Sequence, residues 1–313
     1  MEKIYQSTVD TFNEVEEAKN GSWINLVNPT QNEMIQVANE FDIDIEDLRA
    51  PLDSEERSRV SVESNYTLIL VDVPTLENRN NKDWYVTIPL GIIVTEEVII
   101  TTCLQETNVL KDFTTGSVKD FYTFMKTRFI FQMLYKNAKL YLQYLRAIDR
   151  KSNEVEQKLH QSMKNEELIE LLELEKSLVY FTTSLRTNER VLEKLVRLKA
   201  IKKYPDDEDL LDDTIVENQQ AMEMASIYGN ILSGMMDAFA SVISNNQNTV
   251  MKVLALITII MSIPTMVFSA YGMNVDGIGM PFANSPLGFW IIIGISFLFS
   301  VLVTGYFVKK KWF

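Results

Sequence analysis

The stretch that decides the fold is Val253–Val275, VLALITIIMSIPTMVFSAYGMNV, which contains no charged residue. A second uncharged run, Gly277–Val308, ends in the almost continuously apolar and aromatic segment Leu287–Val308. A bilayer core takes about 20 apolar residues of helix. The two runs therefore read as membrane spans at 253–271 and 287–308, joined by a loop at 272–286. The competing reading, a pair of buried core helices, fits poorly because uncharged runs this long are rare in soluble folds. Lys252 directly precedes the first span, and Lys309, Lys310 and Lys311 directly follow the second, whereas the loop holds Asp276 and no base. By the positive-inside rule both ends face the cytoplasm of a cell membrane. Trp290 and Trp312 suit the two interfaces, and Met1–Ala18 is polar and acidic, unlike a secretory leader.

Outside the spans the 313-residue chain is acidic, with 30 Lys and Arg against 43 Asp and Glu and a net charge of −13. That balance argues against a nucleic-acid partner, which requires a basic stripe to displace phosphate counterions. A single Cys, Cys103, excludes an internal disulfide framework and a Cys-based zinc site. A single His, His160, leaves little for a His-dependent triad or a His-rich metal centre. There is no Gly-Lys-Ser phosphate loop, and Gly277-Ile278-Gly279 lacks a strand-to-helix context, so neither nucleotide binding nor an organic cofactor is indicated.

The first hundred residues mix strand and helix signals. Trp23–Val27, Arg59–Val62, Tyr66–Val73, Trp84–Val94 and Val98–Leu104 are rich in Val, Ile, Thr and Tyr, as strands are. Asn78–Lys82 is a polar turn, Thr30 is placed to cap a helix running to Phe41, and Ile45–Ala50 is a short helix stopped by Pro51. Beyond Gly116 the strands stop. Val118–Met163 and Glu166–Ala200 carry apolar residues at helical spacing, an antiparallel hairpin, and Tyr204-Pro205 then breaks the chain. From the acidic start at Asp206 there is no Pro until Pro264, and apolar residues recur from Ile215 through Val242. One helix here would run about 60 residues, roughly 90 Å, and would need neighbours or copies of itself to cover its apolar stripe. The expected organisation is an α+β membrane protein. An α/β domain at 1–115 is followed by a long helical hairpin at 116–204 and a stalk helix at 205–252; the spans and their loop come next, then a basic tail at 309–313.

The first span is more than an anchor. Asn248, Met251, Ala255, Thr258, Ser262, Thr265 and Ser269 alternate steps of three and four, so copies of this helix would aim them at one axis. Close packing, or hydroxyls bonded back to backbone carbonyls, is the plainer explanation. Tyr271-Gly272-Met273-Asn274 ends the span, and Met280-Pro281 follows in the loop. With this architecture the Gly-Met-Asn sequence resembles the CorA-type magnesium channel family, over nearly the whole chain.

The resemblance implies a homopentameric funnel in the lipid bilayer that passes divalent cations passively. Mg²⁺ would be both the transported and the regulatory ion, with Co²⁺ and Ni²⁺ as further cargo. It implies a selectivity filter at Gly272, Met273 and Asn274, whose amide oxygens meet the waters of a hydrated ion. Thr258, Ser262 and Thr265 would follow as hydroxyl rings, Met251 and Leu254 as an apolar constriction, and Asn248 as a polar ring beneath it. The regulatory metal would sit at Asp213, beside Asp212, with Glu77 or Asp72 of another subunit as partner; Asp237 matches a further acid of the family's stalk. Mg²⁺ holds its water tightly, so a neutral amide ring suits it better than a ring competing for that hydration. One departure stands out: Phe282 follows Pro281 where many members have Glu, leaving Asp276 as the loop's fixed charge. A zinc transporter of the same fold is the alternative, although soft ligands are lacking. An alternative of another class is a membrane-tethered coiled-coil scaffold without transport. No nucleophile, base and orienting group assemble on a recognisable enzyme motif.

Overall fold

The computed structural model describes residues 2–9, 11–79, 82–162, 165–198, 204–274, 279–282 and 285–310. Asp276, Gly277, Lys311 and Trp312 lie outside them, as does the side chain of His160. The chain forms two compact units, Met1–Met236 and Asp237–Phe313.

The first unit is built on a seven-stranded sheet of β1 (Glu2–Ser7), β2 (Phe12–Val15), β3 (Trp23–Val27), β4 (Arg59–Val62), β5 (Tyr66–Arg79), β6 (Lys82–Thr95) and β7 (Ile99–Cys103), in the order β2-β1-β3-β7-β6-β5-β4. Only β3 and β7 pair in parallel, Trp23 opposite Ile99. The central strands are buried on both faces, so successive side chains enter different cores. Leu68 and Leu70 pack with Val37, Ile43 and Leu48 beneath α1 (Gln31–Phe41) and α2 (Ile45–Arg49). Ile69, Val71 and Val73 pack on the opposite face under the long helices. Thr30 caps α1 as expected: its side chain accepts from the Glu33 N–H while Glu33 reaches back to the Thr30 backbone. Gly91 is fixed by close approach, since a Cβ there would lie 2.2 Å from Cγ of Pro51.

Three features depart from the expectation. The acidic N-terminus contributes two strands, β1 and β2. A short helix, α3 (Asn108–Thr114), follows β7. The next helix, α4 (Lys126–Ser162), begins eight residues after Val118. Between them Gly116 (φ 65°) and Asp120 (φ 53°) turn the chain through left-handed conformations. Phe121 thereby reaches within 4.6 Å of Phe129 and 5.1 Å of Phe113, ring to ring, and Phe129 packs 5.0 Å from Trp23. Ser7 and Thr123 also exchange hydrogen bonds, each N–H donating to the other's hydroxyl, at 3.0 and 2.6 Å. Tertiary contacts here outweigh the helical spacing of the local sequence.

α4 and α5 (Asn165–Arg197) pack through Tyr141 and Phe181, whose rings meet at 5.1 Å, and through the Lys151–Glu170 ion pair at 3.0 Å. The stalk helix α6 runs unbroken from Pro205 to Tyr271. In the first unit it buries Leu211, Thr214, Asn218, Ala221, Ala225 and Leu232, a three-four repeat. Ile215, Met222 and Tyr228 flank that stripe half-buried, and the Asn218 amide donates to the Leu185 carbonyl at 3.1 Å.

Candidate ion-conducting site

The second unit contains the end of α6 and the helix α7 (Gly288–Lys309); both are long and apolar enough to cross a membrane. At 22 residues α7 measures about 33 Å, one bilayer core. Among the described residues these are the only regular elements of the unit, and each has one buried face. On α6 that face is Leu256, with Val253, Ile260, Ile263 and Val267 partly covered beside it. On α7 it is Gly288, Ile292, Ser296 and Ser300.

The stripe singled out in the sequence lies on the other side of α6. Asn248, Met251, Ala255, Thr258, Thr265 and Ser269 are exposed and Ser262 is partly so. At 3.6 residues per turn it stands roughly 150° from the Leu256 face. Leu254, the remaining candidate, is also exposed. The hydroxyls form the backbone bonds of the plainer explanation: Thr258 donates to Leu254 O at 2.9 Å, Ser262 to Ile259 O at 2.8 Å and Thr265 to Met261 O at 2.9 Å. Each proton is thus committed inward. What the stripe offers its surroundings is oxygen lone pairs, acceptors matched to the outward-pointing hydrogens of a hydrated cation.

At the end of α6, Gly272 N–H donates to Phe268 O at 2.9 Å, continuing the helical turn past Tyr271. A Cβ on Gly272 would meet nothing closer than 3.4 Å. The chain's own backbone therefore makes no demand for glycine here, in contrast to Gly288, where a Cβ would lie 2.2 Å from the Phe282 carbonyl oxygen. Met273 and Asn274 are exposed. The Tyr271 hydroxyl donates to Pro281 O at 2.6 Å, tying the helix end to the returning loop, where Phe282 takes a left-handed conformation (φ 65°).

The acids expected to hold a regulatory ion separate into different environments. Asp212 and Asp213 are exposed on α6, and Asp213 lines a cleft with Asp112, Arg128, Lys136, Asp206 and Asp209. Glu77, in the β5–β6 hairpin, accepts two bonds from the Arg79 guanidinium at 2.9 and 2.5 Å. Asp72 is turned inward. Its backbone N–H donates to the Asn188 Oδ1 at 2.9 Å; its carbonyl accepts from Asn188, Asn137 and Tyr141 at 2.8, 2.9 and 3.2 Å. Its carboxylate accepts from Thr187 at 3.4 Å, and burial pushes its pKa upward against the hydroxyl donors Ser184, Thr187 and Ser58. Asp72 thus differs from the exposed acids: its backbone groups are bonded within the chain and its carboxylate lies among buried hydroxyls. Among the described residues no three acids, His or Cys gather closely enough to hold a cation. Cys103 is fully buried, and burial pushes its thiol up to about 12, which leaves it unreactive.

A large mixed α/β unit joined through one continuous helix to a two-helix apolar unit defines a two-span membrane protein with an extensive extramembrane part. The model of the CorA-like Mg2+ transporter protein family matches residues 18–311, and the chain belongs to that family, one of transport proteins. It is 26% identical over 299 residues to the cobalt/magnesium transport protein CorA of Methanocaldococcus jannaschii, covering 93% of this chain and 90% of that one. The namesake from Thermotoga maritima is 29% identical over 165 residues, 53% of this chain and 43% of the relative. The complete structure of the CorA magnesium transporter from M. jannaschii superposes with a TM-score of 0.83 at 23% identity, covering 100% and 99% of the two chains, and shows the fold to be shared.

Proposed function

We propose that the chain assembles as a homopentamer whose five α6 helices line an axial path for hydrated divalent cations, Mg²⁺ first and Co²⁺ and Ni²⁺ after it. The observation that carries this reading is the stripe Thr258–Ser262–Thr265–Ser269, which lies opposite the buried side of α6, with the protons of Thr258, Ser262 and Thr265 bonded inward and their acceptors outward. Membership of a transporter family favours it over a tethered scaffold. Gly272, Met273 and Asn274 form the outer filter: Asn274 supplies amide oxygens to the ion's waters, and Gly272, unconstrained within its own chain, is reserved for close approach between copies. Met251 and Leu254, apolar and exposed, close the path by excluding water, and Asn248 lies one turn further in. Both termini face the cytoplasm, and flux follows the concentration gradient and the membrane potential.

Regulation is intersubunit. One chain offers Asp213, with Asp212 beside it, and a neighbouring copy offers Glu77. Mutual repulsion of these carboxylates is relieved when cytoplasmic Mg²⁺ bridges them, which holds the ring shut. The filter role is tested by Mg²⁺ influx into vesicles. Asn274→Ala abolishes flux while the oligomer stays assembled; undiminished flux removes Asn274 from the filter. The sensor role is tested by limited proteolysis. Asp213→Lys weakens the protection given by Mg²⁺, and an unchanged protection curve rules it out.

A further inference from the structure

The described acids end at Asp237, and from there the second unit carries bases only: Lys252 on α6, and Lys309 and Lys310 at the end of α7. In a chain of net charge −13 this is a local inversion of sign. All three lysines are exposed, and among the described residues no carboxylate pairs with them. Lys252 is exposed and stands one turn before the buried Leu256 and one turn after Asn248, on the flank of α6 between its buried face and the conducting stripe. The Lys310 ammonium lies 5.4 Å from the centroid of the Tyr306 ring, which is itself 56% exposed. That places a cation against an amphipathic aromatic of the kind found at headgroup level. α6 leaves the Lys252 end towards the loop and α7 returns from the loop to Lys309, so the three bases mark one side of the membrane.

From this we infer that the feet of α6 and α7 form a binding site for the phosphate of an anionic membrane lipid, held by Lys252, Lys309 and Lys310 with the Tyr306 ring at the headgroup boundary. The site lies at the membrane-surface end of the first span. It is adjacent in sequence to Met251, so an occupied site braces the pore helix next to the proposed constriction. Charge complementarity is what selects the occupant: an ammonium cluster at a bilayer surface draws acidic lipids over zwitterionic ones and loses that preference as salt rises.

The test uses the full chain in phosphatidylcholine vesicles doped with spin-labelled phosphatidylglycerol or spin-labelled phosphatidylcholine, reading the motionally restricted fraction of each. The wild type retains the acidic label preferentially. Lys252→Gln and the double variant Lys309→Gln/Lys310→Gln each lower the preference, by about fivefold per lysine removed, whereas Lys252→Arg preserves it. Inorganic phosphate at matched ionic strength leaves the preference intact, because the site takes the headgroup in the bilayer plane; displacement by free phosphate overturns the lipid assignment. Equal retention of the two labels by the wild type, or an unchanged ratio in the Gln variants, overturns the proposal. Mg²⁺ flux in the same vesicles reports separately on transport: its absence would sink the conducting reading and leave the lipid ratio to decide this one.

Discussion

The two units of this chain use the same apolar residues in opposite senses. In the first, Trp23, Phe129, Phe131 and Phe181 are fully buried, and Leu68 and Ile69 on one strand serve two different cores. In the second, Phe289, Phe297 and Trp290 are 70%, 69% and 67% exposed, and the apolar windows of α6 and α7 are only 6% and 11% buried. Beside Phe239, Leu256 and Ile292, what the second unit buries is small or polar: Gly288, Ser296 and Ser300. A water-soluble unit hides its large side chains because burial is worth about 25 cal/mol per Å² removed from water. Lipid tails remove that drive between helices, so close approach of small residues takes over. Exposure of a Phe therefore means a solvent of hydrocarbon in one unit and would mean instability in the other.

The largest test of this contrast is one chemical change made in both places. Trp23→Ala should cost about 3–5 kcal/mol, since it opens a cavity beside Phe121 and Phe129 and removes the indole N–H that donates to the Thr101 hydroxyl at 2.8 Å. Phe297→Ala should move the same unfolding transition by less than about 0.5 kcal/mol, because most of its side chain lies on the outside of the unit. Thermal unfolding of the detergent-solubilised protein, followed by near-ultraviolet circular dichroism, measures both. Comparable losses would mean that α7 is packed in a protein core.

The reverse change comes next. Leu298→Arg places a charge on a residue 57% exposed near the middle of α7. In hydrocarbon this costs about 2.5–3.5 kcal/mol on insertion scales, and the variant should fall sharply in the membrane-integrated fraction. In water the same exchange at an exposed site is nearly neutral. Full integration of Leu298→Arg would show that this face meets water or protein.

How far the sequence anticipates the structure follows from the same division. The spans, α6 and the β4 strand are legible because long uncharged runs, the absence of Pro and a dense cluster of β-branched residues are local signals. β1 is not, because Glu2–Ser7 interleaves Ile4 and Tyr5 with charged and polar residues at a sheet margin, where only one side needs covering. The segment before α4 is not, because Phe121 is placed by rings from β3, α3 and α4 rather than by its neighbours in sequence. The candidate conducting residues are legible as a stripe, yet its direction emerges only once the buried side of α6 at Leu256 defines the opposite face. Asp72 shows the limit most clearly. A carboxylate at the end of a strand reads as a surface ligand, and nothing local announces that Asn188, more than a hundred residues later, closes over its backbone.

Asp72 also supplies the smallest of these effects and the one with an unusual sign. Its folded-state pKa is raised by burial, with Ser184, Thr187 and Ser58 offsetting part of that cost and Tyr141 as the titratable neighbour. A carboxylate raised on folding binds more protons in the native state than in the unfolded one, between its ordinary value and its raised one. Its contribution to stability is therefore fully present at low pH and is lost as pH rises through the folded value. Glu33 in the same unit behaves oppositely: bonds from the Thr30 backbone hold it below the ordinary range, so its contribution is present above the usual carboxylate value and lost on acidification. The bulk pH profile mixes both. The difference between wild type and Asp72→Asn separates them, since the amide keeps an oxygen for Thr187 and cannot ionise. The variant should be the more stable at neutral pH, with its advantage shrinking as the pH falls and Asp72 takes up its proton. An advantage that grows on acidification would mean that Asp72 is ionised and stabilised in place, as a carboxylate ready to meet a cation would be.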